Sequence, residues 1–267
     1  MHPMTDEFAG KVAIVTGGGG AIGRAIAQHF VREGARVVLA DVDEARGKEV
    51  ASQLGDAVAF QPIDVADADQ VQALVDFTVE RFGGLHVMAN NAGVGGSMRR
   101  FLEDDLRDFP RGMAVNLFGV MVGTQRAARH MAEHGGGAII NTTSIGGINP
   151  GAGVTVYRAA KAAVVHFTKC AAIDLAEHGI RVNCIAPAHI PTAINAHYDQ
   201  SAIVRRLQPL QRIGSPDDVA EAVLYLAGDR AAQVTGVVLP IDGGTTAGPP
   251  PMPVDQLRAT PPEEPSA

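Results

Sequence analysis

A short apolar run, Val12-Ala13-Ile14-Val15-Thr16, passes directly into four consecutive glycines, Gly17 to Gly20, and then into a helical pattern from Ala21 to Arg32. No other feature constrains the fold of this chain as strongly. A run that is apolar throughout reads as a strand buried on both faces, and such strands belong to parallel sheets covered by helices. Glycines at the first strand-to-helix junction let backbone approach a pyrophosphate, and the helix N-terminus favours its charge. A plain tight turn is the competing reading of the glycines alone; their position between strand and helix argues against it.

The alternation repeats along the chain. Further strands are expected at Arg36–Ala40, Val58–Ile63, Leu85–Ala89, Ala138–Thr143, Ile180–Ile185 and Val237–Ile241. Helices are expected at Glu44–Leu54, Asp67–Phe82, a long segment through Asn116 to His134, Val154–Glu177, and Ser215–Ala227. This is an α/β pattern: a single-domain, Rossmann-type, doubly wound parallel sheet with helices on both faces, spanning residues 8–247. Residues 248–267 form a Pro-rich tail with too little apolar surface to fold alone, expected to be flexible. The competing reading packs that tail on a neighbouring subunit through Met252, Val254 and Leu257.

Composition excludes several classes. The net charge of −7 argues against a nucleic-acid partner. No apolar run is long enough for a membrane span, and Met1 to Phe8 carry acids rather than the apolar core of a secretion signal, so a cytoplasmic protein is expected. Cys170 and Cys184 form no CxxC pair and are expected to be ordinary buried thiols; the nine histidines show no ligand spacing, and no metal site is expected.

Asp41 ends the second strand, 18 residues beyond Gly23. A carboxylate there accepts hydrogen bonds from an adenosine ribose and repels a 2′-phosphate, and its neighbour is Val42 rather than a basic residue. The expected cofactor is therefore NAD rather than NADP. A helix cap is the bland reading of Asp41. Further on, Tyr157 and Lys161 stand at i, i+4 on one helix face, where an ammonium would lower the tyrosine pKa and suit it to proton transfer with an alcohol oxygen. Ser144 follows the fifth strand at the carboxyl end of the sheet, where ligands of such folds bind, and its hydroxyl suits the same oxygen.

With these residues in order, the chain resembles the classical short-chain dehydrogenase/reductase family from about Lys11 to Thr246. The matching motifs are the Thr16-Gly17 to Gly23 turn, Asp64-Val65, Asn90-Asn91-Ala92-Gly93, Asn116, Ser144, Tyr157/Lys161, Val182-Asn183 and Asp242-Gly243-Gly244. The resemblance implies a catalytic set of Asn116, Ser144, Tyr157 and Lys161. In it Tyr157 is the acid/base, Ser144 orients the substrate, Lys161 lowers the tyrosine pKa and binds the nicotinamide ribose, and Asn116 holds a water linking Lys161 to solvent. It also implies a cofactor site made by Gly17, Gly19, Gly20, Ala21, Ile22 and Gly23 at the phosphates, and by Asp41 and Val42 at the ribose. Asp64 and Val65 would flank the adenine. Asn91, Ala92 and Gly93 would lie along the cofactor, with Asn90 steadying the central strand, and Pro187, Ile190 and Thr192 would meet the nicotinamide. Three positions depart from the family pattern: Ala21 replaces the middle glycine, Gly20 takes a place often held by serine, and Ala188 replaces a common glycine, next to an unusual His189.

The substrate is expected to be a small hydrophobic secondary alcohol or ketone, cyclic or steroid-like. A lid from His189 to Arg212, with Ile194, Tyr198, Ile203, Val204, Leu207 and the two arginines Arg205 and Arg206, would face a wall of Val94, Ile145, Gly147, Asn149 and Pro150, with no fixed charge assigned to the pocket. His189 is expected to face solvent, with contact to the substrate as the competing reading. Two other readings compete. One is a 3-oxoacyl-carrier-protein reductase using NADPH, with Arg99, Arg100, Arg107 and Arg111 docking an acidic carrier. The other is a non-enzymatic NAD-binding protein, which the complete Asn-Ser-Tyr-Lys set disfavours. By family analogy, the helices near Leu106–His134 and Val154–Glu177 would pair to make a homotetramer.

Overall fold

The computed structural model describes residues 6–251 apart from 194, 197 and 198. Seven parallel strands run in the order β3-β2-β1-β4-β5-β6-β7. They are β1 (Val12–Thr16), β2 (Arg36–Asp41), β3 (Val58–Pro62), β4 (Val87–Asn90), β5 (Gly137–Thr142), β6 (Ile180–Pro187) and β7 (Val238–Ile241). The doubly wound sheet expected from the sequence is what forms.

Alternating strand residues feed two cores, one on each face of the sheet. Ala13, Val15, Val37 and Leu39 pack with Ile26 and Phe30 of α1 (Ala21–Arg32), Val50 of α2 (Glu44–Leu54) and Val223 of α8 (Pro216–Ala227). Ile14, Val38, Met88 and Ile139 point the other way. They meet Leu74 of α3 (Ala68–Phe82), Met131 of α5 (Gly119–Glu133) and Ala172 of α6 (Thr155–Leu175). Burial on both faces is why these strands read as unbroken apolar runs.

Two connections differ from expectation. The long helix through Asn116 does not run regularly. It consists of α4 (Phe109–Met113), a π-helical turn at Ala114–Phe118 and α5. The lid contains a helix the hydrophobic pattern did not signal, α7 (Gln200–Leu207), capped by the Asp199 side chain. Ile194, Tyr198 and the tail residues Met252, Val254 and Leu257 lie outside the described residues.

The strand order reverses direction at the β1/β4 junction, which opens a crevice at the carboxyl ends of these strands. Thr16 laces the two together. Its hydroxyl oxygen accepts from the N–H groups of Asn91 and Ala92, each at 3.0 Å, and Asn91 Nδ2 donates back to the Thr16 carbonyl at 2.9 Å.

Candidate active site

Two glycines of the turn leave no room for a side chain. Gly17 has φ +67°, and a Cβ there would lie 2.9 Å from Ala92 Cα. A Cβ at Gly23 would strike the Gly17 carbonyl oxygen, so helix α1 presses against the turn only because that atom is missing. Helix α1 has no side-chain cap and no acid in its first turn. Its first N–H groups therefore face the crevice uncompensated, which suits a phosphate.

Asp41 braces this turn from β2. Its Oδ2 accepts from Gly19 N at 2.9 Å and its Oδ1 from Asp43 N at 3.0 Å. The cap of α2 is Asp43, whose carboxylate accepts from Arg46 N, so Asp41 is not the helix cap. Asp64 accepts from Ala66 N at 2.9 Å and from Arg111 Nη1 at 2.6 Å. Burial pushes its carboxyl up, but the Arg111 and Ala66 hydrogen bonds outweigh this and hold it below the usual carboxylate range. Together these residues border a groove of about 400 Å³. Every position assigned to the cofactor in the sequence, from Gly17 to Thr192, lines it.

Ser144 leaves β5 in extended conformation, and its Oγ accepts from Gly146 N at 3.1 Å. Tyr157 lies in the first turn of α6, and both it and Ser144 border the groove. One turn on, the buried Lys161 donates from Nζ to the Thr142 carbonyl at 2.9 Å, while Thr143 Oγ1 donates to the Lys161 carbonyl at 2.6 Å. These two bonds lock α6 to the end of β5. Beneath them, buried Asn90 Nδ2 donates to Asn141 Oδ1 at 2.9 Å, and Asn141 Nδ2 donates to Thr168 Oγ1 at 3.0 Å, joining β4, β5 and α6.

Burial lowers the Lys161 pKa to about 8, with the Cys184 thiol pulling the other way. Burial also raises the Tyr157 phenol above its ordinary value, against the Ser144 hydrogen bond and the charge of Arg158. Lys161 Nζ stands 5.7 Å from the ring centroid, and burial outweighs any attraction. Asn116 sits in the π-helical turn beside this site. Both polar atoms of its buried amide bond the Val94 backbone, Oδ1 accepting from N and Nδ2 donating to O, each at 3.0 Å.

A second cavity, of about 620 Å³, opens on the other side of Tyr157 and Ser144, which border both spaces. Ile145, Asn149, Pro150, Ile203 and Leu207 line it as expected. Val94 instead borders the glycine-lined groove, and Gly147 packs against the Lys161 backbone. Val204 is buried in the lid, while Arg205 and Arg206 are exposed.

Three expectations about this region need correction. The cavity does contain a fixed charge, Arg158. His189 is half-buried in the cavity wall rather than facing solvent, and burial lowers its pKa although Asp242 opposes this. Gly248 and Pro249, placed in the tail by composition, line the cavity too. Elsewhere, Cys170 is exposed and only Cys184 is buried, its thiol raised by burial to about 11.

The sequence carried no direct signal for the roles of Arg111, Arg158 and Thr142. Their partners are a carboxylate 47 residues away, loop carbonyls and a lysine, brought together only by the fold.

A family model described as Enoyl-(Acyl carrier protein) reductase matches residues 19–246. Momilactone A synthase of Oryza sativa subsp. japonica is 43% identical over 248 residues, covering 89% of this chain and 90% of that protein. The 2,5-dichloro-2,5-cyclohexadiene-1,4-diol dehydrogenase of Sphingobium indicum is 38% identical over 254 residues, covering 92% of this chain and 100% of that protein. Among solved structures, a 3-ketoacyl-(acyl-carrier-protein) reductase from Brucella melitensis complexed with NADH superposes with a TM-score of 0.86 at 34% identity, covering 90% of this chain and 99% of that one. Likeness over nine-tenths of the length in both sequence and fold goes well beyond a shared sheet topology: the chain belongs to the classical short-chain dehydrogenase/reductase family.

Proposed function

We propose that this protein is an NAD-dependent oxidoreductase that interconverts a hydrophobic, cyclic secondary alcohol and its ketone. The observation carrying this reading is the position of Tyr157 and Ser144 at the border between a glycine-lined nucleotide groove and a largely apolar cavity. The Sphingobium relative, named for a cyclic diol, supports a ring-bearing substrate.

A nicotinamide nucleotide, when bound, supplies the hydride acceptor or donor. The turn from Gly17 to Gly23 would hold its phosphates, Asp41 its adenosine ribose, Asp64 and Val65 its adenine, and Lys161 its nicotinamide ribose. Ser144 Oγ and Tyr157 Oη hold the alcohol oxygen between them. Tyr157 takes the hydroxyl proton during oxidation and returns it during reduction. Holding the carbinol carbon in one orientation supplies much of the rate advantage. Asn116 acts through Val94, keeping the exit of β4 beside Lys161.

Reduction of a 3-oxoacyl-carrier-protein with NADPH is the second reading, favoured by the description of the family model and by the Brucella structure. The arginines suggested for carrier docking speak against it. Arg99 and Arg107 share Asp105, and Arg111 pairs with Asp64, so only Arg100 lacks an acidic partner among the described residues.

The chain is further proposed to work in the cytoplasm as a homotetramer. No helix among the described residues is long and apolar enough to cross a membrane. Phe109, Phe118, Met121 and Ile173 are exposed along α4, the π-helical turn, α5 and α6, where subunits would pair.

Binding titrations with NADH and NADPH, followed by turnover of cyclic alcohols and acyl thioesters, test the reading. Tighter NADH binding with oxidation of cyclic alcohols is expected; tighter NADPH binding with thioester reduction overturns it.

A further inference from the structure

Arg158 is the single charged side chain in the lining of the substrate cavity, and no Asp or Glu accompanies it among the described residues of that lining. Its guanidinium is not free to swing away. Nε donates to the Gly153 carbonyl at 3.3 Å and Nη1 to the Asn149 carbonyl at 3.1 Å. Those bonds hold the fork against the loop between β5 and α6. The remaining nitrogen, Nη2, has no hydrogen-bond partner among the described residues. The rest of the cavity lining that Arg158 shares is mostly apolar, with Met98, Ile145, Val154, Ile203 and Leu207. A half-buried cation in such surroundings, without a counter-charge, attracts one from the ligand, because water screens it poorly there. A planar fork with donors to spare matches a carboxylate.

We propose that Arg158 receives a carboxylate carried by the substrate, so that the preferred substrates are apolar secondary alcohols that also bear an acid group. This rests on the dehydrogenase reading above and narrows it to hydroxy acids and their oxo acids. One fixed positive charge in a cavity without acids fits one negative charge on the ligand, and the apolar remainder fits a ring or alkyl body. Tyr157 and Ser144 border the same cavity, so one molecule can present its alcohol to them and its acid to Arg158. Arg158 touches substrate in this account but takes no proton, so its role is specificity.

The test compares a hydroxy acid with its own neutral ester. We would measure kcat/KM for 3-hydroxycyclohexanecarboxylate and for its methyl ester in the wild type, Arg158→Gln and Arg158→Lys. The wild type is expected to prefer the acid by roughly 30-fold, as a charge-assisted hydrogen bond implies. Arg158→Gln removes that preference and Arg158→Lys keeps part of it. A loop loosened by the substitution slows both substrates alike and leaves the ratio unchanged, so the ratio separates recognition from support of the loop. A wild type indifferent to the acid, or a preference surviving in Arg158→Gln, overturns the proposal.

Calorimetric binding of 3-oxocyclohexanecarboxylate to the NADH-loaded enzyme provides a readout without turnover. It should weaken about tenfold or more in Arg158→Gln, while binding of the ester stays level. If no alcohol is turned over but this binding contrast is present, the dehydrogenase reading fails and the Arg158 assignment stands. If the contrast is absent, the assignment fails.

Discussion

Lys161 Nζ donates to the carbonyl oxygen of Thr142 at 2.9 Å, and this bond anchors a buried ammonium of α6 to the end of β5. Burial lowers the lysine pKa from 10.5 to about 8. Between these two values the unfolded chain holds more protons than the folded one, so this group's contribution makes stability rise with pH through that window. Lys161→Met removes the contribution. The Tm difference, variant minus wild type, should therefore be largest near neutral pH and shrink as pH approaches 10.5. Thermal unfolding across pH checks this; a difference independent of pH counts against it.

Gly93 occupies a gap that the site keeps empty. A Cβ there would lie 3.0 Å from Asn116 Oδ1 and 3.5 Å from Lys161 Nζ. Gly93→Ala should lower kcat by roughly 10- to 100-fold through displacement of these groups, with about 1–3 kcal/mol of lost stability. Kinetics and denaturant unfolding on the same preparation distinguish this from an inert methyl group, which would leave kcat at the wild-type value.

Burial holds the Tyr157 proton above the ordinary phenol pKa, with Ser144 and Arg158 opposing. Oxidation needs the deprotonated phenol and reduction the protonated one. The rate of alcohol oxidation should thus rise with pH across the alkaline range, while ketone reduction falls. Initial rates in both directions over the same buffers measure this, and parallel profiles would contradict it.

The two cysteines should separate cleanly. Cys170 is exposed, whereas Cys184 is buried with its thiol raised to about 11. In dissociated chains, where no second subunit covers α6, a disulfide reagent at neutral pH should modify one thiol per chain rapidly and the second only after unfolding, and Cys170→Ser should remove the rapid phase. Two rapid equivalents would contradict the packing around Cys184.

Much of this was legible in the sequence, for identifiable reasons. Strands such as Val12–Thr16 are buried on both faces, so their apolar runs are unbroken. Gly17 and Gly23 announce themselves because backbone atoms occupy the space where their side chains would be. Asn116 is different. Ala114-Val115-Asn116-Leu117-Phe118 reads as ordinary helix, and the widened π turn coincides with a bond to Val94, 22 residues earlier in the chain. Arg158 carries no signal in the sequence because its partners are carbonyls of an irregular loop, which sequence patterns do not register. Cys170 follows the apolar pattern of α6 yet lies on its exposed side, along with Ile173.

The central claim is that one phenol, at the border of the two cavities, carries the proton. Tyr157→Phe removes a single oxygen and leaves Lys161 and the glycine turn in place. In that variant NADH affinity should stay within about threefold of wild type, while turnover of the secondary alcohol falls by roughly a thousandfold. Turnover within tenfold of wild type, with NADH still bound, would contradict the account.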